Sequence, residues 1–245
     1  MTPAPLHLGG ERLLLDPSGA LFWPREQTLI VADLHFEKAS SAARSGSLLP
    51  PWDTRATLDR LALLLRRYAP RTVVALGDSF HDRHAHARLQ PQDAARLRAM
   101  TEATTFVWVL GNHDPEPPVG IGGNATTEWR SGGLVFRHQA IAANAGANPG
   151  VVEVCGHHHP KAQVATRGGG VTRPCFVADG RRLMLPAIGA YTGGLDVRHP
   201  EIASLFPRGG RVFLLGRDRL FSFPLAEYRA AGPRPPPPAP PLTTL

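Results

Sequence analysis

The sequence predicts an α/β fold in which two mixed β-sheets pack against each other and helices cover the outside. Strongly apolar segments alternate with helical segments in the first half of the chain, and short strands punctuated by glycine fill the second half. A length of 245 residues is enough for one sizeable domain with its own core. We therefore expect a single domain over residues 1–231.

The first half of the chain supplies a hairpin, buried strands and two helices. Arg12–Asp16 and Gly19–Trp23 predict the hairpin. Helices are expected at Asp53–Tyr68, where Asp53 is placed to cap the start and leucines form an apolar stripe, and at Pro91–Met100. The segments that are apolar nearly throughout, as buried strands are, are Thr28–Asp33, Arg71–Asp78 and Thr104–Asn112.

The second half is expected to consist mainly of short strands. Its candidate strands are Ala125–Trp129, Gly133–His138, Gly150–His157, Pro174–Asp179, Arg182–Ala187, Arg211–Gly216 and Arg219–Phe223. The segment Gly232–Leu242 is rich in proline. Residues 232–245 are therefore expected to form an extended tail that takes no part in the core.

Composition argues against a membrane protein and favours a polyanionic partner. No apolar run is long enough to span a bilayer, and the N-terminal segment lacks the pattern of a signal peptide. The two cysteines form no CxxC pair, so a reduced cytoplasmic protein is the simplest interpretation. The net charge of +7 favours nucleic acid, although many basic proteins bind nothing acidic.

Polar side chains follow the apolar strands at the points where these strands end. The groups are Asp33 with His35, Asp78 with His81 and Asp82, Asn112 with His113 and Asp114, His138 alone, and the triplet His157 to His159. Because open α/β sheets place ligand sites at the carboxyl ends of their strands, neighbouring strands would bring these groups together. Asp, Asn and His without a thiolate suit divalent ions such as Mn²⁺, Fe²⁺ or Zn²⁺.

The histidine triplet has two interpretations when it is considered alone. The stretch VCGHHHPK can be a polar surface turn, or it can supply metal ligands from the end of the apolar run Val151–Val154. The other strand ends decide between these interpretations, because a metal site needs donors from more than one segment.

The ordered set D-x-H, G-D, G-N-H-D, a single His and G-H-x-H, which runs from Asp33 to His159, resembles the calcineurin-like metallophosphoesterases. The stretches VADLHFEK, LGDSFHD, GHHHP and LPAIGAYTGGLDV are similar, more narrowly, to the DNA-ligase-associated phosphoesterases of bacteria. The resemblance implies a four-layer αββα sandwich of two mixed sheets. It also implies a phosphodiesterase that uses a hydroxide activated by two metals, expected to be a DNA endonuclease in DNA repair. A DNA ligase, a helicase and an exonuclease are the functional partners it suggests.

The resemblance assigns two divalent ions, with Mn²⁺ as the first choice and Fe²⁺ or Zn²⁺ as alternatives. One ion would be held by Asp33, His35, Asp78 and His159, and the other by Asp78, Asn112, His138 and His157. Asp78 would bridge the ions, since a carboxylate can offer one oxygen to each. His158 would be a spacer, because alternate residues of an extended segment face the same side. The family usually places a Gly next to this histidine, whereas His138 stands in the stretch RHQA.

The resemblance also suggests catalytic and substrate-binding roles. His113 is placed to protonate the leaving alkoxide as a general acid, and Asp114 is expected to orient the His113 ring. His81 is a candidate substrate contact, with packing or helix capping as its alternative. Lys38 and Lys161 are the only lysines in the chain, and both lie beside the motifs, where they could reach substrate phosphates or remain solvated.

Two other functions stay open from the sequence. One is a phosphoesterase of small substrates such as cyclic nucleotides or phosphomonoesters, which the motifs do not distinguish from a nuclease. The other is a scaffold of the same fold without metal chemistry, against which the complete ligand pattern and His113 argue.

Overall fold

The computed structural model describes residues 1–141, 151–166 and 169–226, and it confirms two mixed sheets with helices outside. The proline-rich tail at 232–245 lies outside the described residues. The helices are α1 (Lys38–Arg44), α2 (Asp53–Tyr68), α3 (Pro91–Ala103) and α4 (Pro200–Leu205), with a short 3₁₀ helix at Ala85–Arg88. Within the described part of the chain, no helix is long and apolar enough to cross a membrane.

The first sheet follows the order of the chain. Its strands are β1 (Ala4–Leu8), β2 (Glu11–Leu15), β3 (Leu21–Trp23), β4 (Thr28–Ala32), β5 (Thr72–Leu76), β6 (Thr105–Val109) and β7 (Asn124–Thr126). The strands from β1 to β4 pair antiparallel, and those from β4 to β7 pair parallel. The carboxyl ends of β4, β5 and β6 therefore lie side by side at one edge.

The second sheet has the order β15-β14-β12-β13-β10-β9-β8, and β11 pairs with the end of β12. Its strands are β8 (Glu128–Ser131), β9 (Leu134–Arg137), β10 (Val152–Cys155), β11 (Lys161–Thr166), β12 (Gly169–Ala178), β13 (Arg182–Met184), β14 (Arg211–Leu215) and β15 (Leu220–Pro224). Strands β9, β10 and β13 are parallel to one another. Their carboxyl ends form a second edge of the same kind.

Side-chain alternation explains why the central strands are apolar throughout. In β4, Ile30 and Ala32 pack in the core between the sheets, whereas Leu29 and Val31 pack against the helices. Strands β5 and β6 divide their side chains in the same way. A third apolar cluster lies between the outer face of the second sheet and α4. Each sheet thus buries both faces, which is the physical basis of the four layers.

Two local predictions differ from the structure. Asp53 is the first residue of α2 and does not cap it, because its Oδ2 accepts from the amide of Ala39, 3.0 Å away. The predicted strand Ala125–Trp129 is two strands, β7 and β8, that belong to different sheets. The chain turns between them, where the hydroxyl of Thr126 donates to the carbonyl of Glu128 at 2.7 Å.

Candidate metal centre

Five strand ends meet where the two sheets face each other. Asp33 follows β4 directly, Asp78 follows β5, and Asn112 follows β6, all in the first sheet. His138 follows β9 directly, and the histidine triplet follows β10, both in the second sheet. Three groups of side chains form at this point, and in each group the donor atoms lie within 4.8 Å of one another. The group of His35, His81 and His113 contains histidines alone, and the other two combine an aspartate with two histidines.

The first group consists of Asp33, His35 and His159. The Nε2 atoms of His35 and His159 are 3.3 Å apart, and Nε2 of His159 lies 3.3 Å from Oδ1 of Asp33. The amide of His157 donates to both carboxylate oxygens of Asp33, at 3.0 and 3.2 Å. The second sheet therefore fixes the orientation of a carboxylate that belongs to the first sheet.

The second group consists of Asp78, His138 and His157, with Asn112 beside them. Nε2 of His138 lies 3.0 Å from Nδ1 of His157, 3.4 Å from Oδ2 of Asp78 and 2.9 Å from Oδ1 of Asn112. Oδ2 of Asp78 also lies 3.9 Å from Nε2 of His35 in the first group. The carboxylate of Asp78 therefore stands between the two groups.

Buried carboxylates at this site face histidines. Asp33 and Asp78 are buried, and among the described residues their ionic contacts are with histidine rings and not with Arg or Lys. An uncompensated buried carboxylate is costly, so the site calls for a positive partner. Divalent cations held by carboxylate, amide and imidazole fit this donor set.

The protonation of His35 and His157 agrees with such a donor set. Burial, with the neighbouring His159, lowers the pKa of His35 to about 2, and burial with His138 lowers the pKa of His157 to about 4. Both rings are therefore neutral, the form that binds metals. Burial also opposes the charge on His138, but the hydrogen bond to Asp78 and the charge of Asp33 raise its pKa to about 9.

Unfavourable backbone conformations coincide with the candidate donors. The donors with a positive φ are Asp33 (54°), His35 (44°), Asp78 (44°), His157 (74°) and His159 (46°). Each residue of this kind costs on the order of 1 kcal/mol or more and persists only where its surroundings impose it. Such clustering is characteristic of functional sites.

Two glycines make room for the donors. A Cβ on Gly77, whose φ is +65°, would lie 2.3 Å from the ring of His138. A Cβ on Gly194 would lie 2.1 Å from the carbonyl oxygen of His159. The absence of these side chains allows His138 to lie against the end of β5, and it allows the loop after β13 to lie against the histidine triplet.

Comparison with known proteins identifies the family. Residues 27–181 match the family described as calcineurin-like phosphoesterase. The chain belongs to this family. A search of curated proteins gives no match.

Solved structures resemble the chain over nearly its whole length. The nuclease MPE of Pseudomonas putida is 29% identical, with a TM-score of 0.68 over 90% of this chain and 100% of that one. Yfce, a phosphoesterase from E. coli, is 15% identical, with a TM-score of 0.42 over 81% of this chain and 98% of that one. Family membership and the His/Asp groups together indicate a metal-dependent phosphoesterase.

His113 lies at the rim of this phosphoesterase site and is partly exposed. Its Nδ1 is 2.8 Å from the carbonyl oxygen of His81, and its Nε2 is 3.9 Å from Oδ2 of Asp78. A carbonyl oxygen can only accept a hydrogen bond, so Nδ1 carries a proton and Nε2 faces the site. The ring also stacks on that of His81, with the centroids 5.1 Å apart. His81 thus fixes the orientation of His113.

Asp114 does not orient His113, contrary to the prediction from the sequence. Its Oδ2 accepts from the amides of Ser79 and Phe80 at 2.7 and 3.0 Å, and its Oδ1 accepts from the amide of Gly111 at 3.0 Å. Within the described residues Asp114 makes no other hydrogen bond. The chain turns after β6, and this turn directs the carboxylate toward the loop after β5. Asp114 therefore joins the two loops that carry Asp78 and Asn112.

Replacing Asp114 by alanine should lower stability strongly, because three backbone amides would lose their acceptor. At about 1 kcal/mol or more for each unpaired buried group, we expect a loss of roughly 3 kcal/mol. At roughly 2–4 °C per kcal/mol for a chain of this size, thermal unfolding should begin about 6–12 °C lower. Asp114→Asn keeps one acceptor oxygen, so its stability should lie between that of the wild type and that of Asp114→Ala. An alanine variant as stable as the wild type would contradict this anchoring role.

The three candidate substrate contacts come from different segments of the chain. Nδ1 of His81 is 3.1 Å from Nδ1 of His35, so His81 borders the first group directly. Burial, followed by the charge of Lys38, lowers the pKa of His81 to about 4. Nζ of Lys161 lies 3.4 Å from the carbonyl of Thr192, in a cavity that His159 also lines. Lys38 is the first residue of α1.

Two hydrogen bonds between α2 and the loop after β13 were not predicted from the sequence. The hydroxyl of Thr57 accepts from the amide of Ala190 at 3.0 Å, and Arg60 donates to the carbonyl of Ile188 at 2.7 Å. These bonds fix the loop after β13 against the candidate metal centre. Polar side chains on a helix face that otherwise packs on the core are the signal that could have revealed them.

Proposed function

We propose that this protein is a DNA endonuclease that hydrolyses phosphodiester bonds with two divalent metal ions. The observation that carries the proposal is the pair of adjoining His/Asp groups with Asp78 between them. The choice of DNA is supported by the net charge of +7 and by the 29% identity to a nuclease over its full length. We infer a role in DNA repair, with a ligase, a helicase and an exonuclease as functional partners.

Each proposed ion takes its ligands from one group and shares Asp78. Asp33, His35 and His159 would hold the first ion, and Asn112, His138 and His157 would hold the second. Mn²⁺ is our first choice, and Fe²⁺ and Zn²⁺ suit the same donors. When bound, two such ions supply an activated water and neutralise the charge that builds up on the phosphate.

The chain itself orients the ligands and supplies a proton. Backbone amides of His157 and His113 donate to the carboxylates of Asp33 and Asp78, which holds these oxygens in place. In its doubly protonated form, His113 would donate the proton on Nε2 to the leaving sugar oxygen and would become neutral, with the remaining proton on Nδ1 still bonded to the carbonyl of His81. Asp114 acts by positioning the loops and not by contact with the substrate.

Circular DNA tests the endonuclease directly, because a circle has no end for an exonuclease to attack. We expect the protein with Mn²⁺ to convert circular single-stranded DNA to linear product, with circular duplex DNA tested in parallel. Excess chelator should abolish cleavage, and metal analysis of the purified protein should show two ions per chain.

The possible outcomes of this experiment separate the alternatives. Turnover of small phosphate esters with intact circles would identify a hydrolase of small substrates. A protein that binds no metal and turns over neither substrate would be a scaffold. Full activity of metal-free protein in excess chelator would refute the metal mechanism altogether.

A further inference from the structure

The loop that follows β13 lies at the edge of the candidate metal centre, and the proposed mechanism assigns it no role. The amide of Gly189 donates to the carbonyl of Asp33 at 3.1 Å, and the amide of Leu195 donates to the carbonyl of His158 at 3.1 Å. The loop is thus attached at both ends to segments that carry candidate ligands. The residues between these attachments, 190–194, must therefore lie at the rim of the site.

Tyr191 is the unusual residue of this loop. It has a φ of +59° although it is bulky, and 45% of it is exposed. Among the described residues, its hydroxyl makes no hydrogen bond and its ring packs on no other aromatic ring. Its neighbours are fixed, since Ala190 donates to Thr57 and the hydroxyl of Thr192 donates to the carbonyl of Gly189 at 3.0 Å. A strained backbone therefore presents an unpartnered aromatic ring to solvent.

A cavity of about 220 Å³ lies against the same loop, which contributes Thr192 and Gly193, the residues that follow Tyr191, to its walls. Its walls include His159 from the candidate metal centre, Lys161 and Thr172 from β11 and β12, and Thr192 from the loop. Among the described residues no carboxylate lines the cavity, and the ammonium of Lys161 lies 3.4 Å from the carbonyl of Thr192. A positive group in an open cavity beside a phosphoesterase site suits a second phosphate.

The other lysine of the chain lies close to Lys161. Burial is the largest cause of the lowered pKa of Lys38; the charge of Asp53 opposes this shift, and the charge of Lys161 adds to it. The two lysines therefore share one region, in a chain whose other positively charged side chains are arginines and histidines. Asp53 offsets the charge of Lys38, whereas Lys161 has no acidic partner among the described residues, which leaves its charge available to an anion.

We propose that Tyr191 and Lys161 form a subsite for the nucleotide next to the scissile phosphate of a single-stranded DNA. Lys161 binds the neighbouring phosphate in the cavity, and the ring of Tyr191 stacks on the base of that nucleotide. Stacking on a protein ring requires an unpaired, exposed base, so this subsite selects single strands over duplex. The inference rests on the proposed endonuclease function and specifies its substrate.

The test uses a labelled thymidine oligonucleotide whose cleavage is mapped at every phosphodiester. Tyr191→Ala should lower kcat/KM on it by roughly 5- to 100-fold, the size of one base-stacking contact, while Tyr191→Phe keeps the ring and the rate. Lys161→Met should lower kcat/KM and reduce the salt dependence by about one phosphate contact, while Lys161→Arg retains both. The preference for single strands over duplex should decrease in Tyr191→Ala.

Modified substrates distinguish contact from a structural effect. An abasic position next to the cut should slow the wild type as much as Tyr191→Ala does, and it should slow that variant no further. An uncharged methylphosphonate in place of the neighbouring phosphate should slow the wild type as much as Lys161→Met does, and it should slow that variant no further. Phe221→Ala is the matched control, since 42% of Phe221 is exposed and it lies on β15 in the outer part of the second sheet.

The failure of this inference differs from the failure of the proposed function. Wild-type protein that cuts single strands while Tyr191→Ala and Lys161→Met cut them equally well would overturn the subsite alone. The same holds if abasic and methylphosphonate positions leave wild-type cleavage unchanged. Wild-type protein that cuts no DNA but hydrolyses small esters would overturn the endonuclease itself.

Discussion

Asp78→Asn should abolish phosphodiester hydrolysis almost completely. The carboxylate lies 3.9 Å from Nε2 of His35 and 3.4 Å from Nε2 of His138, so the substitution removes a negative charge that faces both groups. Metal ions contribute several kcal/mol to stabilising the transition state, and each 1.4 kcal/mol is a factor of ten in rate. A loss of about 10³-fold or more is therefore expected.

Asparagine is the preferred replacement because it retains the shape and an oxygen that can accept from the amide of His113. The measurement pairs the rate with metal content, and we expect fewer than two ions per chain. Asp59→Asn, on the exposed face of α2, is the control for the loss of one negative charge. A variant with two bound ions and a nearly normal rate would show that Asp78 does not bridge them.

His113→Ala should have the second largest effect, and its size should depend on the leaving group. A sugar alkoxide leaves poorly without a proton, whereas nitrophenolate leaves without much assistance. Loss of a general acid typically costs roughly 10²–10⁴-fold, so DNA cleavage should fall by that amount. Hydrolysis of bis-nitrophenyl phosphate should fall much less, since the metal ligands and their orientation are retained.

Both rates and the metal content should be measured on the same preparation. His7→Ala, an exposed histidine on β1, is the matched control. Equal losses on the two substrates, together with a lower metal content, would assign His113 to support of the metal centre and not to proton transfer. The contacts of the His113 ring with His81 and His35 are the structural basis of this alternative.

The order of strands and helices could be predicted because it depends on local patterns. The strands β4, β5 and β6 are apolar on both faces, since one face meets the helices and the other meets the second sheet. The bounds of α2 agree with the prediction at both ends. Short elements with few apolar residues, such as α1 and β11, were not predicted. They are held by contacts with other segments, since β11 pairs with β12 and the amide of Ala39 in α1 donates to Asp53.

The candidate site could be predicted as a set of residues but not as an arrangement. Asp, Asn and His at the ends of apolar strands identify a likeness to a family, and the structure brings the Asp and His donor atoms of each group within 4.8 Å of one another. The sequence does not predict that Asp114 accepts from three backbone amides, because these bonds depend on the turn after β6. The role of His81 as the partner of His113 depends on the same turn.

The sequence alone determined the fold class, the family resemblance and the chemical types of the donors, because periodicity and motif order are properties of the chain itself. Only the tertiary structure decided which donors face one another, that Asp78 lies between the two groups, and that Tyr191 stands at the rim. These features arise from contacts between segments far apart in the sequence, such as the amide of Gly189 on the carbonyl of Asp33. Local propensity carries no information on such contacts, and packing between the two sheets sets them.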